Sequence, residues 1–371
     1  MKTIFNSYFF YLFLFYLNTF VGYSQTQSIF KKIDRANGLS NSRITGIIKE
    51  KNGFIWIGTQ NGLNRFDGND TKVFNKNNSN ISSNDISDIL LDAKNRIVIA
   101  TNGGGICFYD KIYNTFHVYK NIVDKNNTSI SNQINTVFQD SDGYFWLGTE
   151  KGLVFFNEDT ARFMLYPFKQ ENNLNISSIY QDKNKNLWVG TKNEGLLLFH
   201  IKSGKFKKII DNNNYKIQSV EVIHELNSDK ILIGTFGNGL ILVDVKTFKF
   251  SNFFNENLTL GKGITIVRSI EKDSKNNLWI GTDGYGLFEI QYPNSKEPII
   301  KNYMYNSQLR SSLSGNSIYE ILEDNDANIW IGTAWNGISI LETKKSTEIL
   351  YSDIAGINPS PVLSVYKNKN K

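Results

Sequence analysis

The chain has 371 residues, 40% of them hydrophobic, with 41 Lys and Arg against 35 Asp and Glu for a formal net charge of +6. That length holds one large or two ordinary domains with a real apolar core. The single cysteine, Cys107, excludes an internal disulfide framework and a cysteine-cluster metal site, and its run Ile106–Tyr109 suits a small buried hydrophobe. Basic and acidic residues are interspersed without a long basic block, so the excess reads as a solvated surface, with an acidic ligand left open.

In chain order, residues 1–24 read as an export signal. Lys2 supplies a positive start, Tyr8 to Val21 is apolar until Asn18 and Thr19 interrupt it, and Gly22 and Ser24 occupy the −3 and −1 positions before Gln25. The run is short against the roughly 20 apolar residues of a bilayer span, so cleavage is expected rather than anchoring. No cysteine at the junction suggests a lipoprotein, and the mature chain is expected to be periplasmic or exported. Nucleic acid is then a poor partner.

Ser28 to Ile33 reads as an outer strand with no sheet of its own, because it precedes the first inner strand, Ile44 to Lys49. Then comes the phrase Trp56-Ile57-Gly58-Thr59, with Asn61-Gly62 expected as a type I′ turn. It recurs at Trp146–Thr149, Trp188–Thr191, Trp279–Thr282 and Trp330–Thr333, with weaker copies at Val98–Thr101 and Leu232–Thr235. The Gly58 position falls at 58, 100, 148, 190, 234, 281 and 332. Spacings of this size built from strands predict an all-β, seven-bladed propeller of four-stranded antiparallel blades. Blade three shows the parse: Ile134–Phe138, Tyr144–Thr149, Leu153–Phe156 and Arg162–Tyr166. No sustained helical period occurs, so almost no helix is expected.

The signature residues have structural reasons. Trp56, Trp146, Trp188, Trp279 and Trp330 are expected to fill the seams between blades, each burying roughly 200 Å² for at most about 5 kcal/mol. Gly58, Gly148, Gly190, Gly281 and Gly332 are expected to let the next blade approach closely. An acid lies six residues before the Trp position in six blades: Glu50, Asp92, Asp140, Asp182, Asp273 and Asp324. Spread one per blade, these read as acceptors for backbone N–H groups at the strand-to-turn junction rather than as a metal ring.

The last blade takes three strands from Ser317 to Glu342 and is expected to borrow its fourth from the N-terminal strand, which removes an exposed edge. Thr347–Tyr351 and Val362–Tyr366 repeat the outer-then-inner order of the N-terminus. The expected organisation is therefore a signal at 1–24, a propeller at 28–344, and at 345–371 the start of a second propeller that breaks off.

Asn37-Gly38-Leu39-Ser40 with Ile44, then Gly53–Thr59 and Gly62–Gly68, resembles the two-component regulator propeller repeat, and the resemblance runs from residue 28 to 366. It implies the periplasmic sensor region of a hybrid two-component system, followed in full-length members by a second propeller, a β-sandwich, a membrane helix and a histidine kinase; neither the kinase nor the membrane helix is credited to these residues. It also implies an oligosaccharide ligand and paired sensor domains, possible as a homodimer. Loops joining second to third and fourth to first strands share one face of a propeller. There Lys151, Lys192, Phe236, Tyr285 and Trp335, with Arg310, Tyr303 and Tyr305 in the segment Asn302 to Asn316, are candidates for stacking on sugars or pairing with acidic ones. Trp335 leads, being the one Trp outside the repeated phrase.

No catalytic constellation is legible. His117, His200 and His224 fall in different blades, without metal-ligand spacing, and neither a Gly-x-Ser-x-Gly nor a phosphate-loop motif occurs. No metal, cofactor or enzymatic activity is expected. Two other readings stay open: a stand-alone exported interaction scaffold, and a propeller lyase or hydrolase, since those enzymes share the repeat style.

Overall fold

In the computed structural model, residues 29–120, 123, 130–168, 174–210, 216–254, 263–295 and 298–342 are described. The export signal and the second-propeller segment expected at 345–371 lie outside them. Among the described residues, seven four-stranded antiparallel sheets account for the strands, and one short 3-10 turn, Arg35–Asn37, is the helical element.

Each blade runs outward from an inner strand: Ile44–Lys49, Ile86–Leu91, Ile134–Gln139, Ile176–Gln181, Val220–Asn227, Val267–Lys272 and Ile318–Glu323. The ring closes through the N-terminal strand Phe30–Ile33, which pairs antiparallel with Ile338–Leu341 so that Phe30 faces Leu341 and Ile33 faces Ile338. Blade seven thereby gains its outer strand, and its edge is covered.

Apolar seams separate the blades. Trp56 packs with Ile86, Ile89 and Tyr109 of blade two, Trp146 with Ile176 and Phe199 of blade four, and Trp188 with Val220 and Ile223 of blade five. Trp279 meets Ile318 and Ile321, and Trp330 meets Ile44 and Ile47 across the closure. Blades two and five lack the Trp, and phenylalanines fill those seams: Phe108 against Phe145 at 5.2 Å, and Phe254 against Phe288 at 6.0 Å. Glycine two residues after each Trp has a packing cause. A Cβ at Gly332 would stand 2.6 Å from Cγ2 of Ile44, and one at Gly148 would stand 2.6 Å from Cγ2 of Ile176.

The acid six residues before each Trp does more than hold the turn. Its second oxygen accepts the indole N–H: Glu50 from Trp56 at 2.9 Å, Asp140 from Trp146 at 2.8 Å, Asp182 from Trp188 at 3.1 Å, Asp273 from Trp279 at 3.0 Å and Asp324 from Trp330 at 2.9 Å. A buried indole needs an acceptor, and this spacing supplies one. In blade two, where Val98 replaces the Trp, Asp92 takes the Arg96 guanidinium instead, at 2.8 Å from Nε. Blade five has lost both partners, and the apolar Leu226 and Leu232 are buried there.

Threonine ends the phrase for a reason that the repeat alone does not disclose. In all seven blades its buried hydroxyl donates to the carbonyl of the glycine that opens or immediately precedes the third strand, from Thr59 to Gly62 at 2.8 Å through Thr333 to Gly337 at 2.9 Å. This clamps the loop between second and third strands. Asn61-Gly62 is not the type I′ turn expected from its sequence: Gly62 takes a φ of 131°, while Asn61 is not among the positive-φ residues. A type I′ turn needs both. Here the Asn61 N–H binds Thr59 Oγ1 at 3.1 Å, so the threonine sets the geometry.

Candidate functional site

One face of the ring carries the site. The start of each inner strand pairs with the end of the second strand, as Ile44 does with Thr59 and Ile318 with Thr333. The second-to-third loops and the connections between blades therefore emerge together. Just inside this face, the inner-strand ladder slips at the second residue in every blade, between Ile44 and Gly46, Ile86 and Asp88, Ile134 and Thr136, Ile176 and Ser178, Val220 and Val222, Val267 and Ser269, and Ile318 and Glu320. A bulge frees one residue from the ladder and re-aims its side chain. The seven freed residues are Thr45, Ser87, Asn135, Ser177, Glu221, Arg268 and Tyr319, and all of them line a central cavity of about 280 Å³.

That ring is lopsided. Blades one to four contribute neutral hydroxyls and an amide, several spent on neighbouring backbone: Ser87 and Ser177 donate to the carbonyls of Ile134 and Val220, and Asn135 to that of Ile176 at 2.8 Å. Blades five to seven contribute a carboxylate, a guanidinium and a phenol. Arg268 donates to Glu221 at 2.7 Å and to Asp283 of the blade-six loop at 3.1 Å, and Asp283 also accepts from Ser317 at 2.7 Å.

Above the charged side stands a continuous stack. The Arg268 guanidinium lies 5.5 Å from the Phe236 ring centroid and 5.2 Å from that of Tyr319. Arg43, in the connection entering blade one, lies 5.4 Å from Tyr319 and 5.3 Å from Trp335. Phe236, Arg268, Tyr319, Arg43 and Trp335 thus form one ladder spanning blades five, six, seven and one. Phe236 is 53% exposed and Trp335 66%, so the ladder ends in two large apolar rings open to water. Tyr285, 43% exposed, is on the blade-six loop between them in sequence order, two residues past Asp283.

The remaining candidates are placed elsewhere. Lys151 and Lys192 belong to the loops of blades three and four, where their backbone N–H groups bind Thr149 Oγ1 at 3.1 Å and the Asn175 carbonyl at 2.9 Å. Arg310 is exposed in the connection from blade six to blade seven. None of the three takes part in the stack. Tyr303 is not a loop residue. It ends the strand Ile299–Tyr303, donates to Glu289 at 2.6 Å and packs 5.7 Å from Phe30, so the segment expected from Asn302 is strand until Tyr303.

Deeper in the cavity the wall turns acidic. Asp88 bridges blades two and three by accepting from Thr136 Oγ1 and the Val137 N–H, both at 2.9 Å. Enclosure by the ring pushes its carboxyl up to about 6 despite those bonds. The same enclosure raises Glu271 to about 7, helped by Glu323 and Asp273, and holds Glu320 well above the ordinary range, helped by Asp88 and Glu271. Among the described residues, no three His, Cys, Asp or Glu side chains converge in a metal-binding cluster. His224, on the inner strand of blade five, is pushed down to about 4 by burial, with Lys272 adding to the effect. His200 binds Asn186 at 2.9 Å and His117 lies 3.4 Å from Asp110 on an outer strand.

Comparison with known proteins agrees with the architecture. The two-component regulator propeller profile matches residues 38–61, 128–151, 170–193, 261–284 and 312–335, the five blades with the Trp. Histidine kinase P4 of Formosa agariphila is 28% identical over 46% of this chain and 16% of its own length. The extracellular domain of a hybrid two-component system from B. thetaiotaomicron superimposes with a TM-score of 0.72 at 23% identity, over 85% of this chain and 42% of that one. A second such domain from the same organism gives 0.68 at 25% identity, over 85% and 40%. Virginiamycin B lyase from Staphylococcus aureus shares the fold at a TM-score of 0.63 and 12% identity, over 85% of this chain and 99% of the enzyme. The chain spans less than half the length of these signalling relatives. Five of its seven blades match the two-component regulator propeller repeat.

Proposed function

We propose that this chain is the ligand-sensing propeller of an exported two-component signalling protein, and that its ligand is an oligosaccharide bound on the face carrying Trp335, Phe236 and Tyr285. Binding would favour one arrangement of paired sensor domains, and the differential affinity for that arrangement would bias a histidine kinase module of the kind its relatives carry. The observation that carries the reading is the lopsided mouth. Seven equivalent blades could have kept equivalent loops, yet aromatic rings, arginines and carboxylates gather over blades five to seven and blade one. Exposed rings gathered at one mouth, rather than scattered, mark a surface suited to binding. Sugar rings present C–H faces for stacking and hydroxyls for the fixed carboxylates and amides beside them.

The test is isothermal titration of the purified chain against neutral and acidic oligosaccharide pools, with Trp335→Ala as the control. Trp335 touches solvent more than core, so its loss is expected to abolish binding without moving the melting temperature. Equal affinity in Trp335→Ala would take the site off this face.

A further inference from the structure

The two arginines of the ladder are not equivalent. Arg268 is neutralised by Glu221 and Asp283. Arg43 has rings on it but no counter-charge: among the described residues no acceptor receives its side-chain N–H groups, and its Nε is buried without a partner. A cation–π contact uses the face of the guanidinium and satisfies none of its five donors, which point outward in the plane. Glu221 and Asp283, the carboxylates beside the ladder, are engaged by Arg268. Tyr319, shared between both guanidiniums, and Trp335 hold the Arg43 group half-buried at the open mouth rather than extended into water.

We infer that Arg43 is the anchoring point for an oxyanion, a carboxylate or sulfate group, on the ligand this face binds. The inference rests on the ligand-binding reading above and deepens it by assigning the ligand's charge. The free in-plane edge of a guanidinium matches such a group bidentately, and the flanking rings hold that edge in place. Lysine in this place would supply charge without the fork or the stacking. Selectivity then follows from this position: a neutral sugar offers the Arg43 donors only uncharged oxygens, whereas an acidic one supplies the missing counter-charge in a bidentate pair.

Three pools of matched length test this in the full chain: oligogalacturonides carrying carboxylates, carrageenan fragments carrying sulfates, and neutral cello-oligosaccharides. Titration is expected to show binding of at least one charged pool, weakening as salt is added, and the pool that binds names the oxyanion. Arg43→Gln is expected to lower that affinity about tenfold to a hundredfold at an unchanged melting temperature, and Arg43→Lys to recover only part of it. Trp335 emission should shift on binding, because the ring lies on Arg43. Charged-pool affinity indifferent to Arg43→Gln overturns the inference. Binding confined to the neutral pool overturns it too while leaving the sensor reading in place, and binding of no pool overturns both.

Discussion

Replacing Asp140 with alanine tests the acid–tryptophan clamp that each signature blade repeats. Oδ2 of Asp140 accepts the Trp146 indole at 2.8 Å, and Oδ1 accepts the Asp142 and Tyr144 backbone N–H groups, both at 3.0 Å. The backbone bonds of the same turn, Gly143 N–H to Asp140 at 3.0 Å and Asp140 N–H to Tyr144 at 2.9 Å, survive the substitution. The freed turn donors are part-buried and can find water. The indole cannot, since Trp146 is sealed in the seam with blade four. A hydrogen bond to a charged group contributes about 1.5–3 kcal/mol, and stranding a buried donor costs about 1–3 kcal/mol. These are two descriptions of one loss, so Asp140→Ala should lose about 2–3 kcal/mol, while Asp140→Asn, with one acceptor oxygen left, should lose less. Urea unfolding of Asp140→Ala, Trp146→Phe and the double variant isolates the pair. A coupling of about 1.5–3 kcal/mol is expected. Coupling below about 0.5 kcal/mol would mean that the recurring spacing serves the turn alone. Blade five already carries the natural double replacement, with Leu226 and Leu232 buried in its place.

Gly332→Ala would set a Cβ 2.6 Å from Ile44 Cγ2 and 3.1 Å from Glu320 Cβ at the closing seam; a loss of about 1–3 kcal/mol is expected in urea unfolding. Ala327 holds a φ of 65° in the blade-seven turn, so Ala327→Gly should raise the urea midpoint by the equivalent of about 0.5–1 kcal/mol without changing the slope. The Glu271 carboxyl has a folded pKa of about 7, raised from 4.5. Its contribution is therefore fully present below its unfolded value and is lost as pH rises through about 7. Glu271→Gln should match the parent at about pH 4 and exceed it by up to about 3 kcal/mol at about pH 8, measured by thermal unfolding across pH.

The ring was legible because its causes are local and repeated. A Trp-x-Gly-Thr phrase at a nearly constant spacing needs no distant information, and an acid six residues earlier shares the same hairpin. The threonine was equally visible, but its role depends on the loop's hydrogen bonds, which vary in length around one glycine carbonyl. Arg43 was not legible. Its meaning comes from Tyr319 and Trp335, which reach it only after the last blade closes against the first. The bulged ring left a faint trace, a polar or aromatic residue after the first aliphatic one of each inner strand, and register alone reveals that these residues leave the ladder. Tyr303 misled because an aromatic at a strand end looks like a loop residue until its pairing with Leu287 is known.

Hydrogen exchange of the chain, with and without the oligosaccharide that titration selects, tests the location of the sensing face most directly. Protection is expected at 40–45, 236–239, 283–286 and 334–337, around Arg43, Phe236, Tyr285 and Trp335. Protection confined to the opposite turns, at 51–53, 141–143 and 274–276, would contradict the account.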